Sequence, residues 1–164
     1  MSLAPLLAAS PAVQIHVAAA VLSMIGAIVL LTGRKGTPRH KMIGKLWVGA
    51  MAITAISSFS IQEIRVIGKF SLIHLLSILA LVGLVQIVYF ARKRRIREHE
   101  KVVHSLVFGA LGIAGTLTFL PGRTMNAVFF DGDSVVGFVS VALGVVFLWL
   151  LHRAGTHKIS RFTS

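Results

Sequence analysis

Apolar residues come in five runs along the chain, approximately Pro11–Thr32, Met42–Ile61, Leu72–Ala91, Val102–Leu120 and Val135–Leu151, parted by short loops rich in basic residues, Gly and Pro. Each run is close to the ~20 residues a helix needs to cross a ~30 Å hydrocarbon core. None shows the ~10-residue alternation of a membrane β-strand, and only helices or closed barrels satisfy their backbone in lipid. The pattern predicts an all-α membrane protein of five transmembrane helices. The longest loop is about a dozen residues, so no soluble domain is expected beside them. Thr37 reads as an N-cap and Pro38 as the first helical residue of the second run, which puts His40 in a helical first turn. Leu120-Pro121-Gly122-Arg123 reads as the stop of the fourth.

The runs are not independent. Ile15-His16, Arg34-Lys35 and His40 in the first half answer to Ile73-His74, Arg92-Lys93 and His99 in the second. In both halves the first His lies 18 positions before the Arg-Lys pair, and the second unit begins 58 positions after the first. Each unit holds an even number of spans, so two such units have the same orientation in the bilayer. The fold expected is a single transmembrane domain over 1–164: a four-helix bundle of two parallel two-helix repeats, about 12–62 and 71–120, with a fifth helix appended at about 135–152.

Composition agrees with lipid. Hydrophobic residues are 55% and charged residues 13% of the chain, with a mean hydropathy of +0.85, where soluble domains carry roughly 25% charged residues. The net charge of +12 would suit nucleic acid if it were spread over a surface. It is instead segregated. Fourteen of the 17 Lys and Arg flank the loops after the first and third runs or follow the fifth, and only Arg65, Lys69 and Arg123 lie on the other side. The positive-inside rule then places the N-terminus outside and the C-terminus in the cytoplasm of a multi-pass cell-membrane protein, with its basic loops against anionic headgroups. No aromatics interleave the basic runs to stack bases, so nucleic acid is not an expected partner. Trp47, Tyr89 and Trp149 fall near the cytoplasmic ends of their runs, as interfacial aromatics do. No basic segment precedes the first run, so no cleaved signal peptide is expected. The absence of cysteine leaves histidine as the main metal-binding side chain.

Helical rise sets the depth of the histidines. His16 lies 16 residues before Thr32 and His74 lies 17 before Ala91, about 24 Å and 25 Å at 1.5 Å per residue. These two rings therefore share an outer level, one on the first helix of each repeat. His40 and His99, just ahead of the second and fourth runs, share an inner level. Two levels, each with one imidazole from each half, suit two bis-His b-type haems stacked across a membrane, since a haem iron takes axial donors on both faces and imidazole is a usual one. His104, five residues beyond His99, is the alternative inner ligand. The competing reading of a lone intramembrane His is a hydrogen bond to a neighbouring helix, and of a loop His a headgroup contact. Arg123, directly after the Pro-Gly stop, could hold a haem propionate or an anionic substrate in its planar fork, or simply snorkel. Ala19, Ala20, Ser23 and Ala27 share a face with His16, and Gly109, Gly112 and Gly115 thin the fourth helix; small residues admit a neighbouring helix or a flat cofactor. All five carboxylates lie in or beside loops, which disfavours a transporter coupled through a buried acid. Gln86 and the pair Ser57-Ser58 are too common in kind to support a claim.

The segments Gly33-Arg34-Lys35-Gly36-Thr37-Pro38-Arg39-His40-Lys41-Met42-Ile43-Gly44 and Phe119-Leu120-Pro121-Gly122-Arg123 resemble an uncharacterised bacterial family of small membrane proteins, domain of unknown function 2306. The resemblance covers roughly Gln14 to Arg123, leaves the fifth helix outside, and implies no particular activity. In architecture the chain also resembles b-type dihaem membrane cytochromes, an analogy that does not fix function.

The expectation is a haem-b protein, with His16 and His74 on an outer haem and His40 and His99 on an inner one. It would carry electrons between a quinone or small reductant and an acceptor, as a transmembrane oxidoreductase of cytochrome b type. A second reading uses the same histidines to hold haem, copper or zinc in an assembly factor for a respiratory complex. A third, disfavoured by the missing midplane charge, is a small-solute carrier. A homo-oligomer or a respiratory-complex partner is compatible with all three.

Overall fold

A computed structural model describes residues 1–61 and 72–146. Trp149, His152, His157 and the basic residues Arg65 and Lys69 lie outside the described residues, as does the end of the expected fifth helix. The described chain is helical and has no strand: α1 Ala4–Leu7, α2 Pro11–Thr32, α3 Pro38–Ser58, α4 Leu72–Arg92, α5 Ile96–His104, a π-helical stretch Ser105–Ile113, α6 Ala114–Leu117 and α7 Thr124–Phe130. A further helix, α8, covers Ser134–Val146.

Three helices are long and apolar enough to cross a membrane: Pro11–Thr32, His74–Arg92 and the continuous path Ile96–Leu117. A fourth is added if α7 and α8, bent by 106° at their junction, count as one broken span. The second expected span falls short of that composition. α3 has the length, at 21 residues, but Lys41 and Lys45 occupy its first turns and Thr54, Ser57 and Ser58 its last. It nevertheless packs against both α2 and α4.

Local chemistry sets the boundaries. Thr37 Oγ1 accepts the His40 backbone N–H at 3.1 Å, with Pro38 at the first helical position, so the cap of α3 is the one its sequence predicts. The preceding turn uses Gly36 at φ +74°, a left-handed conformation that costs glycine little. Lys35 Nζ donates to the carbonyls of Leu30 and Leu31, satisfying the end of α2. α4 closes with Arg94 at φ 55° and Arg95 N–H on the Phe90 carbonyl at 2.9 Å, a left-handed C-terminal turn made without glycine.

The chain divides into two compact units, Ala9–Leu111 and Met1–Ala8 with Gly112–Ser164. The core of the first is one cluster, with Ala27 and Leu30 from α2, Trp47, Met51 and Ala55 from α3, Ala80, Leu84 and Ile87 from α4, and Leu106, Val107 and Leu111 from the π-helical stretch. The spacing of three or four residues puts each set on one helical face. The opposite faces carry Leu22, Ile25, Ile28, Leu46, Ile53, Leu79 and Val82, all exposed, as lipid-facing residues are. The small-residue face of α2 is used for helix packing: Ala19, Ser23 and Ala27 are buried, and Trp47 of α3 reaches them. Trp47 is therefore a core residue, 3% exposed, and not the interfacial aromatic its position suggested; Tyr89, 51% exposed near the end of α4, keeps that character.

The fourth apolar run begins earlier than its hydrophobicity indicates, at Ile96, because the polar turns Ile96–His104 are already helical. It ends at Leu117 instead of Leu120. Its middle is π-helical over nine residues, wider than α-helix and rare in runs of this length. In the second unit α1 packs on α7, with Ser2 N–H on the Val128 carbonyl at 3.1 Å. Gly122, at φ +80°, turns the chain ahead of α7.

Candidate functional site

Four histidines of the Ala9–Leu111 unit lie toward its two ends. At one end the last turn of α3 stands between two histidines. His16, in the second turn of α2, has its Nδ1 3.1 Å from Ser57 Oγ. That hydroxyl spends its own proton on the carbonyls of Ile53 and Thr54, at 2.7 Å and 3.1 Å, so it accepts and His16 Nδ1–H donates. The ring is thus held in the tautomer whose Nε2 bears the lone pair. The next residue, Ser58, donates to the Ala55 carbonyl at 2.7 Å and therefore accepts from Ser77 Oγ at 2.6 Å. Ser77 lies one turn beyond His74 on α4. His74 is 5% exposed, and its ring centroid is 5.5 Å from that of Phe59. Consecutive residues Ser57, Ser58 and Phe59 thus engage His16, Ser77 and His74.

At the other end the Thr37 cap fixes His40 in the first turn of α3. Burial, then the Lys35 ammonium, then the His99 ring hold its imidazole below its ordinary value and so favour the neutral form. His99 Nδ1 is 3.1 Å from the Ile87 carbonyl, which can only accept, so this ring also donates through Nδ1 and keeps its lone pair on Nε2. His104 is exposed and stacks on Phe108 within its own helix, with centroids 5.7 Å apart. Arg95 lies 5.0 Å over the Phe90 ring and binds Glu98 at the start of α5.

All four expected histidines are at least half-buried against neighbouring helices, one from each half at each end. His16 and His99 each have Nδ1 tied to an oxygen acceptor, with Nε2 left as a donor of electrons, a pattern common among metal ligands. Among the described residues, no three or more His, Cys, Asp or Glu come together as a metal-binding group.

Arg123 belongs to the second unit. With Pro5, Gly122, Asn126 and Gly132 it lines a cavity of about 310 Å³. Asn126 is wholly buried, and nothing in the sequence singled it out. Ser57 and Ser58 were also passed over. The signal that finds them is their position, at the far end of α3 from His40 and thus level with His16.

Residues 13–152 match the family described as "Predicted membrane protein (DUF2306)". The match extends beyond the expected limit at Arg123 and takes in the fifth helix, so that helix is a family element and not an appendage. No curated protein and no solved structure matches the chain.

Proposed function

We propose, for a chain that belongs to the DUF2306 family of membrane proteins, that the two histidine levels hold b-type haem and carry electrons across the bilayer between a quinone or small reductant and an acceptor. His16 and His74 would hold the outer group, His40 and His99 the inner. The single observation that carries the reading is the tautomer of one imidazole at each level. His16 through Ser57, and His99 through Ile87, are each fixed with Nε2 as the unprotonated nitrogen. A donor set of neutral imidazoles with no carboxylate suits haem iron.

Bound haem would supply a one-electron couple at each level. The chain's own residues do the rest. Ser57 and the Ile87 carbonyl orient rings and raise their basicity. The apolar cluster between the levels, Met51, Leu84 and Leu111 among it, excludes water. The basic loops on the His40 side favour the cytoplasmic face and its anionic headgroups, giving an outward N-terminus. The reading assigns the inner level to His99 over His104, whose ring is exposed and stacks on Phe108.

The test is the absorption spectrum of the detergent-purified protein, oxidised and then reduced with dithionite. A reducible Soret band is expected, lost in part in His16→Ala and in His99→Ala and retained in His104→Ala. A colourless protein, or full haem content in His16→Ala, would overturn the reading; labile, substoichiometric copper or zinc in its place would favour the assembly-factor role.

A further inference from the structure

The turn between α7 and α8 sets two helices of the second unit at nearly a right angle. In sequence the apolar run that contains α8, Val135–Leu151, is 17 residues without a charge, within the ~17–25 that cross a bilayer. Gly144 of α8 lies against Thr116 of α6, where a Cβ would come within 2.6 Å of the threonine methyl. α8 therefore runs beside the end of the Ile96–Leu117 span. The bend of 106° then turns α7 close to perpendicular to α8. A helix perpendicular to a span lies along the membrane surface.

The placement of charge agrees, and it is an independent observation. Arg123 is the N-cap of α7, and Asp131 and Asp133 follow its last residue. Stood upright, this seven-residue helix would carry one charged end about 10 Å into hydrocarbon, where ionised groups are costly. Laid flat, it keeps both ends at the water level. Asp133 also caps the start of α8, where its Oδ1 accepts the Val136 N–H at 2.9 Å.

The sides of α7 are used unequally. Asn126 is buried and donates to the carbonyls of Phe119 and Asp133, while Val128 is buried where its carbonyl takes the Ser2 N–H. Phe129 is left outward, 42% exposed, with its ring centroid 5.7 Å from Phe119 and 6.3 Å from Phe130.

We propose that α7 is an in-plane helix that seats Phe129 in the headgroup–acyl boundary of a phospholipid leaflet and so anchors the turn into α8. Interfacial helices bury their apolar side about 5–10 Å into that boundary. The contact uses no histidine, so it stands or falls independently of haem.

The chain has no cysteine, so single cysteines introduced for nitroxide labels are unique. The full chain in phosphatidylcholine vesicles is labelled at Met125→Cys, Phe129→Cys, Val135→Cys or Val139→Cys, and depth is read from collisions with oxygen and with a water-soluble nickel complex. Residues 135 and 139 lie four apart on α8 and should differ in depth by about 6 Å. Residues 125 and 129 are also four apart, but on a helix turned across the span they should differ by only about 2 Å. The label at 129 should sit about 5–10 Å into the boundary. An equal stagger in both pairs would make α7 part of a broken span and overturn the proposal. So would a label at 129 exposed to nickel as in free solution, or one shielded from both collision partners, since water or protein would then cover Phe129. Thr124→Cys replaces Met125→Cys if that variant fails to fold, and the depth at 129 decides without either.

Discussion

Trp47 donates its indole Nε1–H to the backbone carbonyl of Ser23 at 2.9 Å, and its ring occupies the notch left by Gly26 one turn further along α2. A Cβ on Gly26 would lie 2.9 Å from Trp47 Cδ1, inside contact distance, so α2 and α3 approach as closely as they do because no side chain intervenes. Gly26→Val should therefore cost about 1–3 kcal/mol through overpacking. Trp47→Phe keeps most of the ring but forfeits the hydrogen bond, and should cost about 0.5–1.5 kcal/mol. Thermal unfolding in detergent measures both. An undiminished midpoint in Gly26→Val would mean that the two helices are not in this register.

Two glycines on facing helices differ in what a side chain would meet. Gly109 has open space where a Cβ would go, whereas Gly83 on α4, which no pattern marked, would place a Cβ 2.9 Å from Leu106 Cδ2 and 3.1 Å from its Cγ. Leu106 is buried in the core cluster and cannot swing clear. Gly83→Val should destabilise by about 1–3 kcal/mol, while Gly109→Ala should be neutral or stabilise by up to about 1 kcal/mol, since alanine is the better helix former. Comparing the two midpoints in one detergent tests the register of α4 against the π-helical stretch.

The features legible in the sequence were those written in local chemistry or in period. The apolar runs, the Thr37-Pro38 start of α3 and the end of the fourth helix ahead of Pro121 all follow from spacing or capping rules that act within a few residues. What escaped depends on partners distant along the chain. Trp47 looks interfacial until Gly26 is seen opposite it. Ser57 and Ser58 look generic until His16 and Ser77 are brought to them. Asn126 acquires meaning only from the carbonyls of Phe119 and Asp133. The π-helical stretch has no composition of its own that a hydropathy scan reads, because widening a helix leaves its apolar content unchanged.

The start of α5 should titrate. Arg95 binds Glu98 Oε1 through Nε at 3.2 Å and NH2 at 2.8 Å, and this hydrogen bond is the first cause holding the carboxyl below its ordinary value of 4.5. The folded state then binds fewer protons than the unfolded one between the lowered value and 4.5. The pair's contribution is complete above that range and is lost as pH falls through the folded value. Arg95→Ala should move the Glu98 carboxyl midpoint upward in a carbon-detected NMR titration. Global stability at neutral pH should scarcely change, because the pair is solvent-exposed and screened. An unmoved midpoint would show that the guanidinium does not reach the carboxylate in solution.

The sharpest test of the histidine reading avoids touching a histidine. Ser57→Ala removes the oxygen that accepts His16 Nδ1–H and leaves the ring itself and the packing of α3 in place. Acceptors behind metal-bound imidazoles are typically worth 10–100-fold in affinity, so haem affinity at the His16 level should fall by about that order. Ser57→Thr keeps a hydroxyl and should restore much of it. Ser58→Ala is the matched control: its hydroxyl engages Ser77 and not His16, so it should change stability without the same loss at the His16 level. Haem titration of apo-protein, read against the thermal midpoint of each variant, separates orientation of the ligand from loss of fold. If Ser57→Ala and Ser58→Ala bound haem equally well, the tautomer of His16 would carry no weight, and the assignment of the outer level would fall with it.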